Sequence, residues 1–92
     1  MEISNMKSNS GREVANQFII FDSEATYFQS YKTIIAKICF KDGERVTYLD
    51  KNAWNYSKTT AKYRNQFLGC NTDEVKKRIK CGQYRLADLN ND

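Results

Sequence analysis

The stretch TIIAKICFKDGERVTYLD, residues 33–50, decides the fold class of this 92-residue chain. Apolar and polar side chains alternate on both sides of Asp42-Gly43. An Asp-Gly pair between two alternating runs favours a type I′ hairpin, because both central residues of that turn need positive φ. We therefore predict strands over Thr33–Lys41 and Arg45–Leu49. The side chains expected on the buried face of the first of these strands are Ile34, Ala36, Ile38 and Phe40.

The residues before this hairpin continue the same pattern. Short apolar runs bounded by turn residues predict two further strands, Val14–Phe21 and Ala25–Gln29. Tyr27 and Phe28 are adjacent on the second of these strands, so one of the two rings must lie on the outer face of the sheet. Residues 1–11 are polar, and we predict a flexible N-terminal tail there, followed by a single domain over residues 12–92.

The hydrophobic period changes after residue 50. Thr60, Tyr63 and Phe67 form a helical stripe over residues 58–68, with Ser57 as a suitable N-cap and Gly69 as the expected C-terminal stop. Asn71 and Glu74 resemble a capping box before a second helix, TDEVKKRIK, over residues 72–80. We expect QYRLADL, residues 83–89, to form a short edge strand or an extended tail. The predicted fold is α+β: an antiparallel β-meander of three to five strands with two short helices packed on one face.

Composition argues against catalysis. The chain contains no histidine, which is the commonest general base, and its four glycines form no phosphate-binding loop. Cys39, Cys70 and Cys81 have neither a histidine partner nor the spacing of a zinc site, so we expect small structural thiols. We predict a protein that is not an enzyme and has no catalytic, cofactor-binding or metal site.

The apolar runs and the cysteine count also bear on cellular location. The longest apolar runs have four residues, whereas a membrane span needs about 20, and the N-terminus lacks an apolar stretch typical of a secretory signal. An odd number of cysteines favours a reducing environment. We expect no membrane association and a cytoplasmic location.

Charge is unevenly distributed along the chain. Residues 1–50 contain six Lys or Arg and seven Asp or Glu, whereas residues 51–92 contain nine and four, which gives net charges of −1 and +5. A basic half attracts nucleic acid or an acidic protein surface, although a solvated helix face has the same appearance. The residues expected to contact a partner are Tyr56, Lys58, Lys62, Arg64, Lys76, Lys77 and Lys80.

Four segments carry a resemblance to known proteins: EVANQFIIF, YFQSYKTIIAKI, YLDKNAWNYSKTTAKYRNQFLG and KKRIKCGQYRLADLN. They resemble an uncharacterised family of small proteins encoded by tailed bacteriophages and their prophages. The resemblance covers about residues 13–90, and WNYSKTTAKYRNQFLG is its most specific part. It implies an accessory protein that acts in the cytoplasm of an infected bacterium, and it identifies no functional residues.

Three function hypotheses follow. The leading one is a non-enzymatic phage protein that inhibits or redirects a host nucleic-acid-handling protein such as a CRISPR effector, as an anti-CRISPR or other anti-defence factor. The first alternative is direct DNA or RNA binding of low specificity through the basic C-terminal half. The second alternative is a structural or assembly protein that forms homo-oligomers through an exposed strand edge.

Overall fold

A computed structural model describes residues 1–90 of the chain. Six strands and two helices form an α+β fold, which confirms the predicted class. The strands are β1 (Glu2–Lys7), β2 (Glu13–Phe21), β3 (Ala25–Ser30), β4 (Thr33–Lys41), β5 (Glu44–Asp50) and β6 (Tyr84–Ala87). The helices are α1 (Lys58–Leu68) and α2 (Thr72–Lys80). The end of the predicted domain at residue 92 lies outside the described residues.

All six strands belong to one sheet, in the order in which they occur in the chain. Neighbours from β1 to β5 are antiparallel, whereas β5 and β6 are parallel. The sheet is therefore mixed and has one strand more than the predicted three to five. Both helices lie between β5 and β6, and such a crossover is what allows the chain to return in the same direction.

The extra strand comes from the N-terminus. Residues 1–11 do not form the predicted flexible tail, because Glu2–Lys7 pairs with β2 at the edge of the sheet. Met6 is 2% exposed and belongs to the core, and the Asn5 side chain donates to the carbonyl oxygen of Val14 at 2.9 Å. The sequence does not predict this strand because its residues are mostly polar. Backbone pairing with β2 and one buried side chain, that of Met6, hold it in the sheet.

The helices cover one face of the sheet, and the core lies between the two layers. Its buried apolar residues are Met6, Phe28, Ile35, Ala36, Leu49, Tyr63, Leu68, Val75 and Tyr84. The alternation predicted for β4 is broken, because a register shift opposite Phe28 buries both Ile35 and Ala36 and leaves Ile34 half-buried. Phe40, predicted to be buried, is 71% exposed near the hairpin end of β4.

The turn and the helix caps that the sequence predicts are present. Asp42 and Gly43 both have positive φ, at 53° and 81°, as a type I′ turn requires. The Ser57 side chain accepts from the Thr60 amide, and Gly69 ends α1 in the left-handed region at φ 76°. The Asn71 side chain accepts from the Glu74 amide at the start of α2. Both helices therefore begin and end where the sequence predicts them.

Within residues 1–90, no helix covers the opposite face of the sheet. Phe28 is buried in the core, so Tyr27 is the ring that lies on the outer face. The register places Tyr27, Lys37, Tyr48 and Arg85 side by side across β3, β4, β5 and β6. We refer to these four residues as the sheet row.

Candidate partner-binding surface

The segment between β5 and α1 is organised by Asp50, the last residue of β5. Its carboxylate is 2% exposed and accepts hydrogen bonds from the amides of Asn52 at 3.1 Å and Ala53 at 2.9 Å. The other carboxylate oxygen accepts from the Leu89 amide at 3.0 Å. This turn brings Trp54 against the core and leads into the N-cap of α1.

Arg64 is the central side chain of this region, and it is fully buried. Its guanidinium makes five hydrogen bonds, one for each N–H donor it possesses. The acceptors are the Trp54 carbonyl at 2.7 Å, Asn55 Oδ1 at 3.1 Å, Asn65 Oδ1 at 3.2 and 2.7 Å, and Thr72 Oγ1 at 3.0 Å. The guanidinium carbon also lies 5.3 Å from the centre of the Trp54 ring.

Arg64 therefore joins three parts of the chain: the segment before α1 that contains Trp54 and Asn55, α1 itself, and the first residue of α2. Burial lowers the pKa of Arg64 from its ordinary value, which is the direction expected for a cation removed from water. The sequence-based choice of Arg64 as a contact residue is therefore not supported, because its donors are saturated inside the protein. The sequence spacing does indicate this burial, because Arg64 lies four residues after Thr60 and four before Leu68, on the inward face of the helix.

Tyr56, Lys58 and Lys62 do lie at the surface, and Tyr56 is 52% exposed. Lys58 and Lys62 are one helical turn apart on α1, so they share one side of the helix. Tyr56 and Lys58 also line a shallow depression of about 290 Å³ at the start of α1, together with Asn55, Ser57 and Ala61. Lys62 extends over the ring of Tyr63, with Nζ 5.4 Å from its centre.

Lys76, Lys77 and Lys80 are exposed on α2. Lys76 and Lys80 are four residues apart and share one side of that helix, whereas Lys77 points about 100° away. Together with Lys58 and Lys62 they form a set that we call the helical-layer lysines. None of the five forms a salt bridge to an acidic side chain within residues 1–90.

Arg78, on the same helix, is used differently. Its guanidinium donates to Glu74 Oε1 at 3.2 Å and to the Tyr84 hydroxyl at 2.9 Å, so it links α2 to β6. The hydrogen bond to Tyr84 raises the pKa of Arg78 most, and the hydrogen bond to Glu74 raises it further. Burial and a contact with the Cys70 thiol at 3.7 Å raise the pKa of the Tyr84 phenol above its ordinary value.

The described residues contain no group of three His, Cys, Asp or Glu side chains placed to hold a metal ion. Cys39 and Cys70 are half-buried free thiols, and Cys81 is an exposed one. No helix within residues 1–90 is both long and apolar enough to span a membrane. The polar side chains that do converge, around Arg64 and Tyr84, serve packing between elements.

The sequence matches a family of unknown function (DUF8033) over residues 1–83. This match covers most of the chain, and the protein therefore belongs to that family. No curated protein and no solved structure matches the chain at a significant level.

Proposed function

We propose that this member of the DUF8033 family is a non-enzymatic binding protein of bacteriophage origin. It docks on an acidic surface of a host nucleic-acid-handling protein and inhibits or redirects that protein, as an anti-CRISPR or other anti-defence factor does. The docking surface consists of Tyr56 and the helical-layer lysines, and the interaction takes place in the bacterial cytoplasm.

One observation carries the proposal: the cations of the two helices divide by role. Arg64 and Arg78 are engaged in hydrogen bonds that hold the fold together. The helical-layer lysines are all exposed, and none of them forms a salt bridge with a carboxylate among the described residues. Unpaired charge concentrated on one layer adds little to folding but attracts and orients an oppositely charged partner.

The phage and host parts of the proposal rest on different support. The resemblance of residues 13–90 to small proteins of tailed bacteriophages supports the origin. The size and the lack of catalytic side chains suit a protein that acts by occupying a surface. That a nucleic-acid-handling protein is the partner is an analogy with other small phage proteins.

A second candidate, direct binding of DNA or RNA by the same lysines, is favoured by the same unpaired charge. The two candidates differ in their response to salt and nuclease. Binding to phosphates releases counterions, so affinity falls steeply as the salt concentration rises and is lost when the nucleic acid is digested. A protein partner remains bound after nuclease treatment.

The test is affinity capture of the tagged protein from a bacterial lysate, with and without nuclease. We expect the wild-type chain to recover a protein that survives nuclease treatment. We expect the double variant Lys58→Glu/Lys62→Glu to lose about tenfold or more of that recovery, because it reverses two charges on one side of α1.

The matched control is Arg12→Glu/Lys32→Glu, which makes the same change in net charge at two exposed positions outside the helices. This control should recover the partner like the wild type. Equal recovery by both double variants would show that Lys58 and Lys62 on α1 are not part of the docking surface. Recovery of nucleic acid alone, lost after nuclease treatment, would favour the second candidate.

A further inference from the structure

We infer that a small cleft on the helix-covered side of the molecule is a second binding site, and that its ligand is a phosphate group. The residues that line this cleft come from β5, the end of α1, α2 and the start of β6: Arg45, Thr47, Leu68, Arg78, Gln83 and Tyr84. We call it the arginine cleft. It contains neither Tyr56 nor any helical-layer lysine, so the inference goes beyond the proposed function and does not depend on it.

The strand register fixes the position of the arginine cleft. Arg45, Thr47 and Leu49 alternate along β5, so their side chains share one face. Leu49 belongs to the core, which makes this the face that the helices cover. Thr47 pairs with Tyr84 on β6, and the Tyr84 hydroxyl accepts a hydrogen bond from Arg78 on α2. The cleft therefore lies where α2 meets the first half of β5.

Thr47 is the residue that points to a ligand. It is 6% exposed and lines the cleft, yet its hydroxyl has no hydrogen-bond partner within residues 1–90. Buried hydroxyl groups are normally hydrogen-bonded, because removing them from water without a partner costs free energy. An acceptor oxygen of a ligand in the cleft supplies the partner that the protein does not.

The two arginines have donors to spare, since each guanidinium carries five N–H groups. Arg78 donates from Nε to Glu74 at 3.2 Å and from Nη1 to Tyr84 at 2.9 Å, and its Nη2 group has no acceptor among the described residues. Arg45 is exposed and forms no hydrogen bond or salt bridge through its side chain within residues 1–90. Planar guanidinium groups with free N–H pairs are suited to phosphate oxygens.

The charge of the cleft is positive. Among residues 1–90, no Asp or Glu side chain lines it. Glu74 binds Arg78 from outside the lining, and Glu44, which precedes Arg45, lies on the other face of the sheet because side chains alternate along β5. Two guanidinium groups thus meet one nearby carboxylate. Like charges around a small cleft repel each other, and an anion bound between them relieves that repulsion.

The size of the cleft and the directions of its donors select the kind of anion. Its volume is about 150 Å³, whereas pockets for whole drug-sized ligands measure about 300–1,000 Å³, so it holds one small group. Donors approach from β5, from α2 and from the Gln83 amide before β6. A phosphate group has three acceptor oxygens for such donors, one more than a carboxylate. The ligand is therefore free phosphate or the phosphate group of a small monoester.

The experiment is an NMR titration of the full ¹⁵N-labelled chain with inorganic phosphate, methyl phosphate and acetate at constant ionic strength. We expect phosphate to cause saturable shifts in the amide signals of Thr47 and Gln83 and in the side-chain Nε–H signals of Arg45 and Arg78. Acetate should bind about tenfold more weakly, because it satisfies fewer donors. Tighter binding of methyl phosphate than of inorganic phosphate would assign the cleft to a monoester, and the reverse would assign it to free phosphate.

A pair of arginine variants locates the site. Arg45→Gln removes a guanidinium from an exposed position and should weaken phosphate binding about tenfold while the fold remains intact. The matched control is Arg85→Gln, which removes an exposed guanidinium from the opposite face of β6, directly after Tyr84. The control should bind phosphate like the wild type.

A threonine variant separates ligand binding from folding. Thr47→Val keeps the shape of the side chain and removes its hydroxyl, so phosphate binding should weaken about threefold or more. Without phosphate, the unfolding temperature of this variant should equal or exceed that of the wild type, because the hydroxyl has no protein partner to lose.

Several outcomes would overturn the inference. These are the absence of saturable shifts with phosphate, equal affinities for phosphate and acetate, or equal weakening by Arg45→Gln and Arg85→Gln. A Thr47→Val protein that is less stable but binds phosphate normally would assign the hydroxyl to folding instead. Failure of this test leaves the capture experiment on α1 unaffected, because its variants at Lys58 and Lys62 share no residue with the arginine cleft.

Discussion

Arg64 and Lys62 are two residues apart on α1 and have opposite environments. Arg64 is fully buried with five hydrogen bonds, whereas Lys62 is exposed beside the Tyr63 ring. A rigid, planar guanidinium suits a buried position with several acceptors, and a flexible ammonium suits a solvated surface. The residue type thus fits the role at each position, which separates the structural cation from the candidate contact cation.

We predict that Arg64→Met lowers the free energy of unfolding by at least about 2 kcal/mol, because it leaves the Trp54 carbonyl and the Asn55, Asn65 and Thr72 acceptors without their donor. Urea denaturation measures this change. Lys62→Met is the matched control and should change stability by no more than about 0.5 kcal/mol. Similar losses for the two variants would contradict the structural role of Arg64.

We predict that the stability of the protein falls above about pH 10 in part because of Tyr84. Burial and the Cys70 contact raise the pKa of the Tyr84 phenol in the folded state. The stabilising contribution of the protonated phenol is complete below the unfolded pKa, and it is lost as the pH rises through the folded pKa.

Urea denaturation at several alkaline pH values, with wild type and Tyr84→Phe, isolates this contribution. Tyr84→Phe lacks the titrating group, so its stability should fall less steeply over that pH range, although it also loses the hydrogen bond from Arg78. Identical slopes for the two proteins would show that Tyr84 titrates alike in the folded and unfolded states.

At the scale of elements, α1 was predictable from local chemistry. Its bounds, residues 58–68, follow from the Ser57 cap, the inward stripe and Gly69. The interior of β4 was less predictable, because the irregularity that buries both Ile35 and Ala36 depends on pairing with β3 and breaks the alternation without a local sequence signal. Local caps are encoded within a few residues, whereas register depends on the neighbouring strand.

We predict that Ser57→Ala destabilises the protein by about 1 kcal/mol. The Ser57 hydroxyl accepts from the Thr60 amide at 3.1 Å and contacts Thr60 Oγ1 at 3.0 Å. Thr60 Oγ1 in turn meets the buried Ser30 hydroxyl at 3.1 Å, so the cap is connected to β3.

Thermal or urea unfolding measures the Ser57→Ala effect. Thr59→Ala, an exposed substitution in the same helical turn, serves as the control and should be neutral or slightly stabilising, since alanine has the higher helix propensity. A Ser57→Ala protein as stable as the Thr59→Ala protein would mean that water replaces the cap without cost.

At the scale of the whole molecule, the long-range pairings were the part that sequence did not reveal. Edge strand β1 has a polar sequence, and β6 pairs parallel to β5 only because both helices intervene. Of the residues predicted to contact a partner, Tyr56, Lys58 and Lys62 are exposed, whereas Arg64 belongs to the interior. The sheet row became visible only once register was known, since its four residues come from four strands.

At the level of the whole molecule, we propose that the layer of α1 and α2 binds a protein partner through Tyr56 and the helical-layer lysines. Quantitative affinity capture from nuclease-treated bacterial lysate tests this surface, with wild type, Lys58→Glu/Lys62→Glu and Tyr27→Ala/Tyr48→Ala in parallel. We predict that the wild type and the tyrosine variant recover the same protein, and that the lysine variant does not. Recovery of that protein by the lysine variant at the wild-type level would show that Lys58 and Lys62 do not form the docking surface.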